Sequence, residues 1–255
     1  MSKYARVSYE NNIYWGLIED GNFRIINNEP WDDHELTDRK LHLGDCKLLA
    51  PARPSKIILI GLNYHDHIKE SQSADEAPDE PVIFSKPPTT IIGPGDDIPY
   101  PPELDRVDYE GELAAIIGKT IYRADEKHAK DAVFGYTCLN DVTARHLQKK
   151  DVQWTRGKGF DGFAPVGPWI VTDIDPLDLK IETYLNDELR QDSKTSYQIW
   201  NVYALISFIS RVMTLLPGDV VSTGTPKGIG PVQPGDKVRI TIENIGTLEN
   251  GVVSI

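Results

Sequence analysis

Asp108-Tyr109-Glu110-Gly111-Glu112-Leu113-Ala114-Ala115-Ile116-Ile117-Gly118 begins acidic and ends in a continuous apolar run. An apolar run of this length fits a strand covered on both faces. Taken as one strand over 109–117, it places Glu110 and Glu112 on the same face, because side chains alternate with period two. Two like charges side by side are unfavourable unless a cation or a proton lies between them. An E-x-E pair alone is most simply a solvated sheet face. Here the apolar continuation argues that the strand enters the core.

Outward from this stretch the chain keeps the same character. Lys56–Leu62 (KIILIGL) is a second continuously apolar, β-branched run, and strand-like runs recur at 166–172, 180–185, 219–223 and 236–243. Pro-Gly-Asp occurs at 217–219 and again at 234–236, each time launching a Val-rich segment, which is turn chemistry followed by a strand. Residues 4–9 and 13–18 predict a hairpin around Glu10-Asn11-Asn12. The polar stretch Asn27–Lys40 predicts one short helix. Two prolines in Leu48–Pro54 cannot sit inside a helix or a central strand, so a boundary is expected there. This gives a small β-rich domain over 1–54 and a main domain over 55–255. Helices are expected at 140–150 and about 201–215, the second carrying Val202, Leu205, Ile206, Ile209, Val212 and Met213 at helical spacing. The fold class is mainly β (α+β), a sandwich-like or rolled sheet. No strand–helix rhythm or GxGxxG element supports a dinucleotide fold.

With 39 acidic and 27 basic residues among 255, the formal net charge is −12. Proteins that grip phosphate backbones or anionic lipid carry the opposite balance, so neither nucleic acid nor membrane is expected as a partner. Cys46 and Cys138 stand far apart without metal-ligand spacing, so neither a disulfide scaffold nor a zinc site is expected. The first ten residues lack the apolar core of a signal peptide, and no run nears the ~20 apolar residues of a membrane span. Cytoplasmic localisation is the expectation.

Several polar groups could carry chemistry. Asp141, Arg145 and Gln148 fall at i, i+4 and i+7, one face of the expected helix 140–150. Capping alone would explain Asn140 or Asp141. Yet an acid, a guanidinium and an amide on one stripe could hold a metal and an anionic substrate together. With Glu110 and Glu112, three carboxylates suit Mg²⁺ or Mn²⁺ and leave positions for a chelating substrate. On a helix beginning near Asn63, His67 and Glu70 are i, i+3 neighbours, and a carboxylate raises an imidazole's basicity while fixing its tautomer. His65 and Asp66 compete for that role. Lys158 lies between two glycines and could approach a ligand closely, although Gly-Lys-Gly is also a surface turn. Ser222–Gly228 lacks the spacing of a phosphate loop, so nucleotide binding is rejected.

Five segments together resemble the fumarylacetoacetate hydrolase family: LLAPARPSKIILIGLNYHDHIKE (48–70), DYEGELAAIIGK (108–119), FGYTCLNDVTARHLQ (134–148), GKGFDGFAPVGPWIV (157–171) and LLPGDVVSTGTPKGIGPVQPGD (215–236). They occur in the family's order, and the amino-terminal 47 residues match only loosely. The resemblance implies a mixed β-sandwich roll, a homodimer and a Mg²⁺ or Mn²⁺ site. It implies metal ligands Glu110, Glu112 and Asp141, and the N-Y-x-x-H-x-x-E pattern selects His67 and Glu70 as the catalytic pair. Arg145, Gln148 and Thr225 are implied as substrate contacts, Lys158 as a charge-neutralising lysine beside the metal, and 71–80 as a lid. The expected activity is hydrolysis of a carbon–carbon bond in an acylpyruvate or related β-diketo acid, with water activated by His67–Glu70. Oxaloacetate decarboxylation or tautomerisation, or 2-hydroxyhepta-2,4-diene-1,7-dioate isomerisation, is the alternative. A non-catalytic protein binding metal and a 2-oxo acid is the reading of a different class. Hydrolysis stands first because the His–Glu pair is intact.

Overall fold

A computed structural model describes residues 1–71 and 76–255. Its largest sheet runs from Leu36–His42 through Asn22–Ile26, Asn12–Glu19 and Lys3–Tyr9 to Ala164–Val171, Val133–Asn140 and Gly111–Ile117, and ends with Val220–Ser222, Ile57–Gly61 and Val82–Lys86. Along this path only Val220–Ser222 and Ile57–Gly61 pair parallel. Glu188–Lys194, Lys180–Leu185, Lys237–Ile242, Gly246–Ser254 and Ile98–Tyr100 form a second sheet, and a third joins Thr143–Ala144, Val107–Tyr109 and Gly230–Val232. The architecture is the mixed, mainly β roll expected.

The continuous apolar runs have a direct explanation. Ile58 and Ile60 enter one core cluster with Leu113, Ala115 and Ile117, while Ile57 and Leu59 enter another with Ala114 and Ile116. These central strands are covered on both faces, so neither face needs polar residues. The first cluster also takes in Ile181, Ile240 and Ile242 of the second sheet and Leu205, Ile206 and Ile209 of the helix Val202–Val212. Asn201 caps that helix by accepting from the N–H groups of Tyr203 (2.9 Å) and Ala204 (3.0 Å). Val212, counted in its apolar stripe, is exposed.

The hairpin at the amino terminus forms, with Glu10 and Asn11 at positive φ in its turn. Its first strand pairs with Ala164–Val171 through Lys3↔Val171 and Tyr4↔Ile170, so the amino-terminal strands extend the large sheet. The helix expected within 27–40 does not form. Leu36–His42 is instead an edge strand paired with Asn22–Ile26, and Thr37 Oγ1 donates to the Ile25 carbonyl at 3.0 Å. Pairing the open side of Asn22–Ile26 satisfies backbone groups that a detached helix would leave to water. A largely exposed edge strand carries no apolar period by which to read it. Of the expected lid over 71–80, residues 72–75 lie outside the described residues. Among the described residues no helix is long and apolar enough to cross a membrane.

Candidate active site

The stretch 108–118 is two strands, not one. Val107–Tyr109 belongs to the three-stranded sheet and Gly111–Ile117 to the largest, with Glu110 at the junction. The face-sharing argument for Glu110 and Glu112 therefore fails in its stated form, yet the carboxylates still converge. Gly111 pairs with Asn140 across the sheet. Asn140 Oδ1 accepts from the Glu110 N–H, and the Glu110 carbonyl accepts from the Asp141 N–H, both at 2.9 Å. This register sets Asp141 beside Glu110. One ligand oxygen from each of Glu110, Glu112 and Asp141 lies within 4.8 Å of the others, and all three residues are buried.

Asp141 is not on a helix, which corrects the i, i+4, i+7 reading. Asp141 and Val142 belong to neither strand nor helix, Thr143–Ala144 pairs with Val107 and Asp108, and helix begins only at Arg145. Sheet pairing overrides the capping signal. Neither Asn140 nor Asp141 is the N-cap; Ala144 holds that place without a side-chain bond. Arg145 and Gln148 do share the short helix Arg145–Lys150, and the guanidinium donates to Gln148 Oε1 at 2.6 Å.

The charges around the three acids are uneven. Glu110 accepts from Arg145 Nη2 at 2.5 Å and from Lys158 Nζ at 3.1 Å. Burial opposes its ionisation, but Lys158 and Arg145 outweigh burial and hold the carboxyl well below the usual range. Asp141 accepts from Lys158 Nζ at 2.5 Å and from Lys86 Nζ at 2.6 Å. Among the described residues Glu112 accepts only from the Ser222 hydroxyl (2.5 Å) and the Gly224 N–H (3.0 Å). Burial, with Asp141 and Glu110 close by, pushes its carboxyl well above the usual range. Gly224 is needed at this point: its φ is +91°, and a Cβ would lie 2.9 Å from that of Asn63. Lys158 closes the four-residue helix Thr155–Lys158 and is buried, its ammonium 4.9 Å over the Phe84 ring.

The expected helix near Asn63 spans His65–Ser71. Buried Asn63 pins its entry, donating to the carbonyls of Trp200 (3.0 Å) and Thr223 (2.7 Å) and accepting from the Trp200 N–H (2.9 Å). His67 is 7% exposed, and its Nδ1 is buried without a hydrogen bond among the described residues, 4.0 Å from Glu70 Oε2. The Glu70 carboxylate accepts from the Gly228 N–H at 2.9 Å. Burial acts to raise its pKa, but His67 and that N–H outweigh burial and leave it lowered.

A narrow cavity is lined by His67, the three carboxylates, Arg145, Gln148, Lys158 and Thr225, with Phe84 and Trp154 on its wall. Of the residues selected from sequence only Glu70 stands outside the lining, behind His67. Two buried groups escaped the sequence reading. Lys86 also donates to the carbonyls of Val142 (3.0 Å) and Phe163 (2.5 Å), and nothing in its local sequence marks it. Asp108 accepts from Arg145 Nε at 2.9 Å and from Arg106 Nε at 2.7 Å. It sits inside the acidic motif and was legible there as a third acid. The donor set suits a metal ion: three convergent carboxylates, one of them without a hydrogen bond from a cation among the described residues, all oxygen ligands.

Comparison with known proteins gives the same frame. The family Fumarylacetoacetate (FAA) hydrolase C-terminal matches residues 56–253, and Rv2993c-like, N-terminal matches residues 2–51. The oxaloacetate tautomerase YisK of Bacillus subtilis is 44% identical over 231 residues, covering 86% of this chain and 77% of that protein. A 2-hydroxyhepta-2,4-diene-1,7-dioate isomerase from Mycobacterium marinum has a solved structure with TM-score 0.93 and 44% identity, covering 100% of this chain and 99% of the other. Maleylpyruvate hydrolase from Sphingobium sp. SYK-6, solved in complex with manganese(II) ion and pyruvate, shares 31% identity at TM-score 0.81, with 99% of each chain covered. The match over residues 56–253, more than half of the chain, makes the chain a member of the fumarylacetoacetate hydrolase family.

Proposed function

We propose that this protein is a Mg²⁺- or Mn²⁺-dependent enzyme that moves a proton on a small 2-oxo acid, interconverting keto and enol forms of an oxaloacetate-like dicarboxylate. The observation that carries this reading is the placing of one imidazole, His67, in the same small cavity as Glu110, Glu112 and Asp141. Enolisation needs one base and one place for negative charge, and both are present. The named tautomerase and isomerase relatives, each 44% identical, support proton transfer ahead of the hydrolysis expected first from sequence.

Glu110, Glu112 and Asp141 would hold the cation. Bound there, it supplies Lewis acidity toward the carboxylate and keto oxygens of a chelating 2-oxo acid. Glu70, whose Oε2 lies 4.0 Å from Nδ1 of His67, would hold the proton on that nitrogen once the pair closes to hydrogen-bond distance. Nε2 is then left to take a proton from the carbon next to the keto group and return it to the keto oxygen, which gives the enol. Lys158 faces the negative charge that develops on the keto oxygen, and Arg145 and Gln148 orient the distal carboxylate. Phe84 and Trp154 keep water from that wall. The same His67–Glu70 pair could instead deprotonate water, and the likeness to a maleylpyruvate hydrolase supports hydrolysis as the second reading.

The test is product analysis with Mg²⁺-loaded protein, with and without chelator, on oxaloacetate and acetylpyruvate in parallel. Chelator-sensitive keto–enol equilibration of oxaloacetate, without acetate from acetylpyruvate, supports proton transfer. Acetate plus pyruvate moves the assignment to hydrolysis, and carbon dioxide plus pyruvate from oxaloacetate moves it to decarboxylation. Binding without turnover of either compound defeats the enzymatic reading for both. His67→Gln is expected to retain the cation and lose about 10²–10⁴-fold in turnover.

A further inference from the structure

Gln191 lies on the strand Glu188–Lys194 of the second sheet, 80 residues from the acidic motif, and is fully buried. Its Oε1 accepts from the Gly111 N–H at 2.9 Å, and its Nε2 donates to Thr225 Oγ1 and to the Pro226 carbonyl, both at 2.8 Å. Thr225 Oγ1 in turn donates to the Gly111 carbonyl at 2.9 Å. Gly111 N–H, Gln191, Thr225 and Gly111 C=O thus form a closed ring of hydrogen bonds. The carboxamide fits in one orientation only, because a main-chain N–H must meet its oxygen and a main-chain carbonyl its nitrogen. Gly111 also has no room for a side chain: a Cβ would collide with Thr183 Oγ1 and come within 3.1 Å of Gln191 Oε1. Thr183 and Gln191 are cross-strand partners, so the second sheet presses directly on the residue that separates Glu110 from Glu112.

We propose that Gln191 is a positioning residue that, with Thr225, clamps the main chain between Glu110 and Glu112 and so fixes the separation of two of the three carboxylates. The proposal rests on the metal-site reading above. A side chain filling space between sheets needs no polar atoms, and this one satisfies three bonds, two of them on the ring. Through Thr225, which lines the cavity, the clamp also ties the acidic motif to the loop after Val220–Ser222. Groups that orient metal ligands typically change metal affinity about 10–100-fold when removed.

The experiment is a Mn²⁺ titration by electron paramagnetic resonance of the wild-type chain, Gln191→Met, Thr225→Val, the double variant and Asn250→Leu. Asn250 is a buried amide bonded to the carbonyls of Gly93 and Asp96, away from the cavity lining, and controls for general loss of stability. Gln191→Met and Thr225→Val should each weaken Mn²⁺ binding by about 10–100-fold. The double variant should be no weaker than the worse single one, because the ring breaks once, and Asn250→Leu should bind as wild type. Wild-type affinity in Gln191→Met, multiplicative losses in the double variant, or an equal loss in Asn250→Leu overturns the proposal. If Gln191→Met does not fold, Thr225→Val still opens the ring by one hydroxyl. If the wild-type chain binds no Mn²⁺, the metal-site reading fails by itself. Hydrogen exchange at the Gly111 amide then decides the clamp: faster exchange in Thr225→Val and Gln191→Met supports it, and unchanged protection overturns it.

Discussion

Asp141 and Asp219 are both buried aspartates with a lysine ammonium within 2.6 Å, and they hold opposite kinds of environment. Asp219, in the first Pro-Gly-Asp turn, accepts from the N–H (3.0 Å) and hydroxyl (2.7 Å) of Ser55, from the Lys56 N–H (3.2 Å) and ammonium (2.5 Å), and from the Leu216 N–H (2.8 Å). One acid meets one cation, the remaining donors are fixed by the fold, and among the described residues no other carboxylate hydrogen-bonds to the same donors. Among the described residues Asp141 accepts side-chain bonds only from two lysines, and Glu110 and Glu112 converge on it. A buried ion pair is therefore poor evidence of function. Like charges gathered around shared cations beside a cavity are better evidence, because a fold has no structural use for that repulsion.

The comparison breaks first, if it breaks, on the two aspartates themselves. Asp219→Ala leaves the Lys56 ammonium and four N–H or O–H donors without their acceptor, and should cost about 3–5 kcal/mol in urea denaturation. Once refolded, that variant should bind Mn²⁺ as the wild type does. Asp141→Asn should do the reverse, removing Mn²⁺ binding at a smaller loss of stability. Loss of Mn²⁺ binding in Asp219→Ala would make both aspartates part of one site.

A bound cation sharpens the contrast. Mn²⁺ at 100 times its dissociation constant should stabilise the wild-type fold by about 2.7 kcal/mol. Asp219→Ala should gain the same increment from its lower baseline, and Asp141→Asn none. Denaturation with and without chelator reads all three, and an increment surviving in Asp141→Asn would place the cation elsewhere.

Much of this was legible in the sequence, for physical reasons. Runs such as Ile57–Ile60 declare themselves because a strand buried on both faces must be apolar throughout. Glu110 and Glu112 stood out because an acidic pair running into such an apolar stretch is unusual, and Asp141 through its spacing to Arg145 and Gln148 and through the family resemblance. What failed was local geometry decided by distant partners. Asp141 reads as a helix cap until Thr143–Ala144 is seen paired with Val107 and Asp108. The strand Leu36–His42 reads as a polar helix until Asn22–Ile26 offers it an edge. Lys86 was invisible because its value depends on Asp141, 55 residues away, and on two carbonyls no sequence pattern marks.

Within the acidic cluster the sharpest smaller effect belongs to Glu112, the one member without a cationic hydrogen-bond partner. Its folded-state pKa is raised by burial and by Asp141 and Glu110, so the metal-free fold binds a proton there that the unfolded chain releases. Its share of stability is greatest at acid pH and declines as pH rises from the unfolded carboxyl value of about 4.3 toward the raised folded value. Glu112→Gln should flatten that slope and stabilise the metal-free protein by roughly 1–2 kcal/mol at neutral pH, while abolishing Mn²⁺ binding. Urea denaturation across pH in chelator checks the sign. A destabilised variant would mean that Glu112 is balanced by the protein as Asp219 is.

The smallest effect falls on Lys56. Its side chain is 25% exposed, and removing its ammonium leaves Asp219 with four donors, three of them main-chain N–H groups. Lys56→Met should therefore cost about 1 kcal/mol, much less than Asp219→Ala, with Mn²⁺ affinity unchanged. The asymmetry follows from what each variant strands: an acceptor still satisfied in one case, a cation and several donors in the other. If Lys56→Met instead matches Asp219→Ala in urea denaturation, the lysine rather than the fixed donor set holds Asp219. The turn would then depend on its cation as Asp141 depends on Lys86 and Lys158, and only the convergence of Glu110 and Glu112 would still separate the two aspartates.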